Sequence, residues 1–132
     1  MGQLHETELQ MTRDVKHTME FSLNPDAFWG MCGPEYEATI RPADLVRMFG
    51  YPINDGDAES LGSYVFSSPS GEVAIIYFRA YDFSSLLLKI FKRRFWRSTK
   101  TFDLTIGAEN TKNATLFCEW LSAKVNMSYR PR

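Results

Sequence analysis

Cysteine and histidine are scarce in this sequence, with two residues of each among 132. Cys32 and Cys118 are too few for a disulfide framework, and no pair of cysteines or histidines has the spacing that holds zinc. We therefore expect no disulfide and no metal, and a chain that belongs in a reducing compartment. Cys118 falls within a helical apolar pattern, which predicts a buried thiol.

Long apolar runs are also absent. Residues 1–14 are polar and mixed in charge, without the apolar stretch of a signal peptide, and we interpret them as a loose N-terminal arm. The leucine cluster at residues 86–88 is far too short to span a bilayer. These absences favour a cytoplasmic protein with no membrane span.

Catalytic signatures are equally sparse. No glycine-rich loop has the lysine and helix that cradle a phosphate, and the acidic stretch 53–60 lacks the glycine and terminal glutamate of a calcium loop. We therefore predict a protein that is not an enzyme, with no catalytic residues and no cofactor. The alternative that stays open is a small hydrolase or nuclease that uses Asp103, Glu109 or Cys32, since such groups assemble in space rather than in sequence.

What the sequence does contain is the composition of a packed protein, with 44% hydrophobic and 14% aromatic residues. A chain of this length folds as one domain. Apolar spacings of three and four predict one helix after Pro42 and another that begins at Asn110 or Thr111. Runs of β-branched and aromatic residues predict five strands at 15–23, 35–41, 61–67, 72–81 and 101–109.

The order of these elements is strand, strand, helix, three strands, helix. The four-residue link 68–71 predicts an antiparallel hairpin between the third and fourth strands. We therefore predict an α+β domain of two layers, in which a mostly antiparallel sheet of about five strands carries two helices on one face. Residues 128–132 are interpreted as a basic tail.

The loop at residues 27–34 combines large apolar groups with two glycines and a proline. We expect Phe28 and Trp29 to plug the edge of the core. The alternative is that the loop lines a pocket, because glycine permits close approach and tryptophan supplies stacking surface.

The most unusual segment is a basic, aromatic insert at residues 82–100, between the last two predicted strands. Residues 89–100 carry six positive charges and no negative one, which leaves nine basic against sixteen acidic residues in the rest of the chain. If residues 83–95 are helical, they form a basic amphipathic helix. Such a block indicates an anionic partner, although a solvated face is its commoner explanation.

Arginines beside aromatic residues suit a nucleotide, because guanidinium groups pair with phosphate and aromatic rings stack on a base. We predict that the insert binds an anionic, nucleotide-like ligand, with a partner protein as the alternative and nucleic acid less favoured. An apolar insert with arginines at its rim also fits a subunit interface, so we expect a homo-oligomer. The predicted ligand-binding residues are Tyr81, Lys89, Lys92, Arg93, Arg94, Phe95, Trp96, Arg97 and Lys100.

Three segments within residues 36–123 carry distinctive motifs. They are a Gly-x-Val-Ala-x-Ile-Tyr strand at 71–77, an Ile-Gly-Ala strand end within 102–108 that precedes a helix, and an Asp-Leu-Val-x-x-Phe-Gly-x-Pro motif at 44–52. Together these segments resemble small phage-encoded accessory proteins. The insert at 82–100 departs from the pattern, since it is longer and more cationic. The resemblance implies a compact binding protein in the host cytoplasm that counters a host defence, by capping a host protein or by sequestering a nucleotide signal.

Overall fold

Six strands and three helices are present in the computed structural model of the protein, which describes residues 19–52, 60–79 and 92–132. The helices are α1 (Pro42–Phe49), α2, described over residues 92–96, and α3 (Thr111–Ser122). The strands are β1 (Ser22–Leu23), β2 (Gly33–Ile40), β3 (Ser60–Ser67), β4 (Val73–Arg79), β5 (Phe102–Ala108) and β6 (Met127–Pro131).

The strands form one sheet in the order β1-β3-β4-β5-β2-β6, and every neighbouring pair is antiparallel. The predicted hairpin between β3 and β4 is present, with Tyr64 opposite Ile76. The predicted α+β class is confirmed, and residues 19–52, 60–79 and 92–132 contain six strands in place of five and three helices in place of two.

Side-chain alternation directs one set of apolar side chains to the face of the sheet against which the described helices pack. Val65 and Ile75, which pair across β3 and β4, are buried on the other face. On the helix side, the register sets Ala38 opposite Leu104 and Ile106 opposite Ile76. These residues belong to a single buried cluster to which the described helices contribute Leu45, Phe95, Trp96, Ala114, Phe117, Cys118 and Leu121. The described sheet and helices therefore form two layers.

Helices α1 and α3 begin and end at the signals in the sequence. Pro42 occupies the first turn of α1, and Gly50 ends that helix with a φ of +83°. Asn110 caps α3, because its side-chain oxygen accepts a hydrogen bond from the backbone N–H of Asn113 at 2.8 Å.

Strand β6 corrects the prediction that residues 128–132 form a basic tail. It pairs with β2 along its length, with Tyr129 opposite Ala38. All five of its residues are at least partly exposed, so it lacks the buried alternation by which an inner strand is recognised. At the other edge of the sheet, the first predicted strand is present only as β1, and residues 15–18 lie outside the described residues.

The loop before β2 also differs from its prediction. Phe28 is 76% exposed and Trp29 is 41% exposed, so neither residue plugs the core. The ring of Phe28 folds instead over Gly30, where an added Cβ would lie 2.6 Å from Phe28 Cζ. The result is an exposed apolar loop at the surface.

Gly62 in β3 allows two other segments to approach the sheet closely. Its φ is +125°, a conformation that favours glycine, and it lies at the irregularity in the register between Ser60 and Ser63. An added Cβ would lie 3.0 Å from Pro52 Cγ and 3.3 Å from Trp96 Nε1. Backbone conformation and packing therefore both require glycine at this position.

We expect Gly62→Ala to lower the free energy of unfolding by about 2–4 kcal/mol, because it adds steric overlap to a strained backbone. Gly71→Ala is the matched control, since Gly71 has a φ of +94° but nothing lies within 4 Å of its added Cβ. We expect the control to lose about 1–2 kcal/mol through the backbone alone. Chemical denaturation measures both values, and equal losses would contradict the close packing around Gly62.

Candidate functional site

Helix α2 has an aromatic side that is buried in the core. Trp96 is 1% exposed and Phe95 is 7% exposed. Phe95 stacks on Phe78 with ring centroids 4.7 Å apart, and Trp96 meets Tyr64 edge-to-face at 5.4 Å. This placement corrects the expectation that Phe95 or Trp96 stacks on a ligand, because the core already occupies both rings. They anchor the helix instead.

The opposite side of α2 is basic and exposed. Arg93, Arg94 and Arg97 are all exposed, as is Lys100 beyond the helix, whereas Lys92 is partly buried. The backbone N–H of Arg97 donates to the carbonyl of Arg93 at 3.1 Å, so these residues lie one turn apart. Within the described residues, none of the three arginines forms an ion pair with an acidic side chain. Their positive potential is therefore not neutralised by this part of the chain.

Tyr51 lies beside this basic side and was missed by sequence reasoning. Arg97 Nε donates a hydrogen bond to the Tyr51 hydroxyl at 3.0 Å, and this bond raises the pKa of the Arg97 guanidinium. Tyr51 remains 48% exposed. Since the contact joins residues 46 positions apart, no local pattern in the sequence indicates it.

An apolar cleft opens at Tyr51, between the end of α1 and the β1–β3 edge of the sheet. Its volume is about 50 Å³, well below that of a pocket that encloses a whole small-molecule ligand, so it is a small apolar recess. Tyr64 donates a hydrogen bond to the carbonyl of Gly50 at 2.6 Å and so holds the segment after α1 against β3. The cleft is lined by Leu23, Pro25, Phe49, Tyr51, Pro52, Ser63, Tyr64 and Val65.

A second cleft, between α1 and the end of α3, is lined by three cations. Arg47 is paired with Asp44, and Lys124 lies over the ring of Trp120 at 5.9 Å from its centroid. This cleft offers positive charge without an aromatic ring in its lining. The lining residues are Arg41, Asp44, Arg47, Met48, Lys124, Val125 and Asn126.

The carboxylates of the hydrolase alternative do not form a pair. Asp103 and Glu109 lie towards opposite ends of β5, about 20 Å apart along the chain at the rise of a strand. Asp103 accepts a hydrogen bond from Thr39 Oγ1 at 2.6 Å and forms an ion pair with Arg130 at 3.2 Å. Both contacts lower the pKa of the Asp103 carboxyl, the hydrogen bond from Thr39 most strongly. Asp103 therefore has a structural role in cross-strand pairing.

Both cysteine thiols have raised pKa values. Burial raises the pKa of the Cys32 thiol, and the Glu109 carboxylate raises it further. Burial also raises the pKa of the Cys118 thiol, to about 12. Because the thiolate is the reactive form, these shifts disfavour nucleophilic chemistry at either cysteine.

Several predicted features fall outside the described residues. They include Tyr81 and Lys89 of the predicted site, residues 53–59 of the acidic stretch and the N-terminal arm at 1–14. Among the residues that the structure does describe, no group of three His, Cys, Asp or Glu could hold a metal ion. No helix in the same ranges is long and apolar enough to cross a membrane.

Comparisons with protein families, with curated proteins and with solved structures find no significant match. The resemblance to phage-encoded accessory proteins therefore stays a prediction. The candidate site therefore consists of the exposed Arg93 and Arg94, and of Arg97 with its hydrogen-bond partner Tyr51, which lines the apolar cleft.

We expect the Cys32 thiol to alkylate slowly at neutral pH, with half-ionisation above the ordinary pKa of 9.0. Glu109→Gln removes a nearby negative charge and is expected to raise the rate, but only partly, because burial is the larger cause. Iodoacetamide labelling followed by mass spectrometry across a pH series measures this rate, with Cys32→Ser as the blank. A Cys32 that reacts faster than free cysteine at pH 7 would restore the hydrolase alternative.

Proposed function

We propose that the protein is a non-catalytic binding protein that captures a phosphate-bearing nucleotide on the basic side of α2. The observation that carries the proposal is that Arg93 and Arg94 on α2, and Arg97 directly after it, are exposed, while the other side of the helix is buried in the core. Guanidinium groups bind phosphate by paired, charge-assisted hydrogen bonds. A helix fixed by its core side presents these groups at a lower ordering cost than a loose segment does.

The biological role that we propose is that of a phage accessory protein which counters a host defence by sequestering a nucleotide signal. Its support is the set of three sequence segments that resemble such proteins. The raised pKa of the Cys32 thiol and the engagement of Asp103 in an ion pair favour capture over turnover. A cytoplasmic location and a homo-oligomeric state belong to the same proposal.

A second candidate function is inhibition of a host protein through the exposed loop before β2. Phe28 is 76% exposed, Met31 is 67% exposed and Trp29 lies between them. Neighbouring exposed apolar side chains that include aromatic rings are typical of protein interfaces. Because this loop is distinct from the basic side of α2, substitutions in the loop distinguish protein inhibition from nucleotide capture.

Arg94→Ala combined with Arg97→Ala is expected to weaken nucleotide binding by about 100-fold or more, because two charge-assisted hydrogen bonds to phosphate are lost. The measurement is a thermal shift across a panel of linear and cyclic nucleotides, followed by calorimetry for each that stabilises the protein. Arg41→Ala combined with Lys124→Ala is the matched control, since it removes the same charge from the second cleft. We expect the control to change affinity by about threefold at most, through screened long-range attraction.

The outcomes of this experiment separate the candidate functions. A wild-type melting temperature that no nucleotide changes would contradict nucleotide capture. A host protein that co-purifies, and is lost with Phe28→Ala and Met31→Ala, would favour inhibition. Denaturing the nucleotide complex is expected to release the nucleotide intact, whereas a converted product would contradict a non-catalytic role.

A further inference from the structure

We infer that the exposed ring of Tyr51, which lines the apolar cleft, stacks on the base of the nucleotide, while Arg97, which donates a hydrogen bond to the Tyr51 hydroxyl, holds phosphate. This inference rests on the proposed function and identifies the residues that recognise the aromatic part of the ligand. Tyr51, rather than the buried Phe95 or Trp96, is then the residue that stacks on the base. One hydrogen bond, from Arg97 to Tyr51, connects the basic segment to the exposed ring that lines the cleft.

The lining of the cleft suits a flat aromatic group. Tyr51 is 48% exposed, so part of its ring surface is open to a ligand. Pro25 and Pro52 add rigid apolar walls, and Leu23 and Val65 extend them. Base–aromatic stacking tolerates any base, because every base has a π face. A ligand made of phosphate alone would leave this surface unused.

Charge and ring surface lie side by side at Tyr51. The Tyr51 hydroxyl lies 3.0 Å from Arg97 Nε. A ligand that carries both a phosphate and a base can therefore contact Arg97 with one part and the Tyr51 ring with the other. Arg93 lies one turn away on the same helix, where it can pair with a further phosphate oxygen.

The cleft is held in place without a ligand. The bond between Tyr51 and Arg97 restrains one wall, and the bond from Tyr64 to the carbonyl of Gly50 restrains the segment that precedes it. Pro52 packs over Gly62, where only glycine leaves room for it. A preformed cleft of this kind loses little conformational freedom on binding, which favours affinity for a small ligand.

The second cleft lacks the feature that would bind a base. Its lining has cations but no aromatic ring, so it attracts an anion without stacking on it. An uncharged aromatic ligand could stack on Tyr51 but would leave Arg93, Arg94 and Arg97 without a counter-charge. A ligand with both a base and a phosphate uses the cleft and the arginines together.

Tyr51→Ala is expected to weaken nucleotide binding by about 10- to 100-fold, the effect of losing one base stack. Binding of inorganic pyrophosphate is expected to change by less than about threefold, because the arginines remain. Tyr51→Phe keeps the ring and is expected to retain most of the nucleotide affinity. Tyr129→Ala removes another partly exposed tyrosine, 36% exposed on β6, and serves as the matched control.

Calorimetric titration of each variant with the nucleotides that stabilise the wild type, and with pyrophosphate, distinguishes two failures. If Arg94→Ala with Arg97→Ala abolishes nucleotide binding and Tyr51→Ala leaves it unchanged, the base lies elsewhere and only the inference fails. If the wild type binds no nucleotide, the proposed function fails as well. If Tyr51→Ala lowers the melting temperature, Tyr51→Leu is the alternative variant, because leucine fills much of the same space without an aromatic face. Full nucleotide affinity in Tyr51→Leu would also overturn the inference.

Discussion

Burial of Trp96 and Phe95 against the sheet is the contact on which the arrangement of the candidate site depends. Fully burying one large apolar side chain contributes about 1.5–3 kcal/mol, so the pair is a strong attachment for a short helical segment. Because a helix distributes neighbouring residues around its axis, the same packing turns Arg93, Arg94 and Arg97 to the surface. The orientation of the arginines is therefore a consequence of core packing, since the described residues give them no acidic partners of their own.

The parts of the fold that could be predicted are those governed by local rules. Pro42 and Gly50 delimit α1, and Asn110 caps α3, because capping and turn chemistry act within a few residues. β6 could not be predicted in the same way. Its residues are mostly exposed, so its strand structure comes from pairing with β2, which lies some 90 residues earlier, as the contact of Arg130 with Thr39 shows.

The candidate site also combines features that local sequence predicts with features that only the tertiary fold determines. The positive charge of the insert is visible in the sequence, but the side of the helix on which each aromatic residue lies is decided by what the helix packs against. The sequence therefore predicts that Phe95 and Trp96 stack on a ligand, whereas the fold buries both side chains in the core. Tyr51 follows a different helix, and only the tertiary fold brings it to Arg97.

The strand order has a consequence for how the chain folds. β3 and β4 form a local hairpin, whereas β2 pairs with strands that begin more than sixty residues later, as the bond from Thr39 to Asp103 shows. Closing such long loops costs entropy before any contact is gained, and proteins dominated by distant pairings fold in roughly milliseconds to seconds. Until β5 and β6 arrive, β2 carries two unpaired hydrogen-bonding edges. During that interval β2 is open to mispairing along both edges.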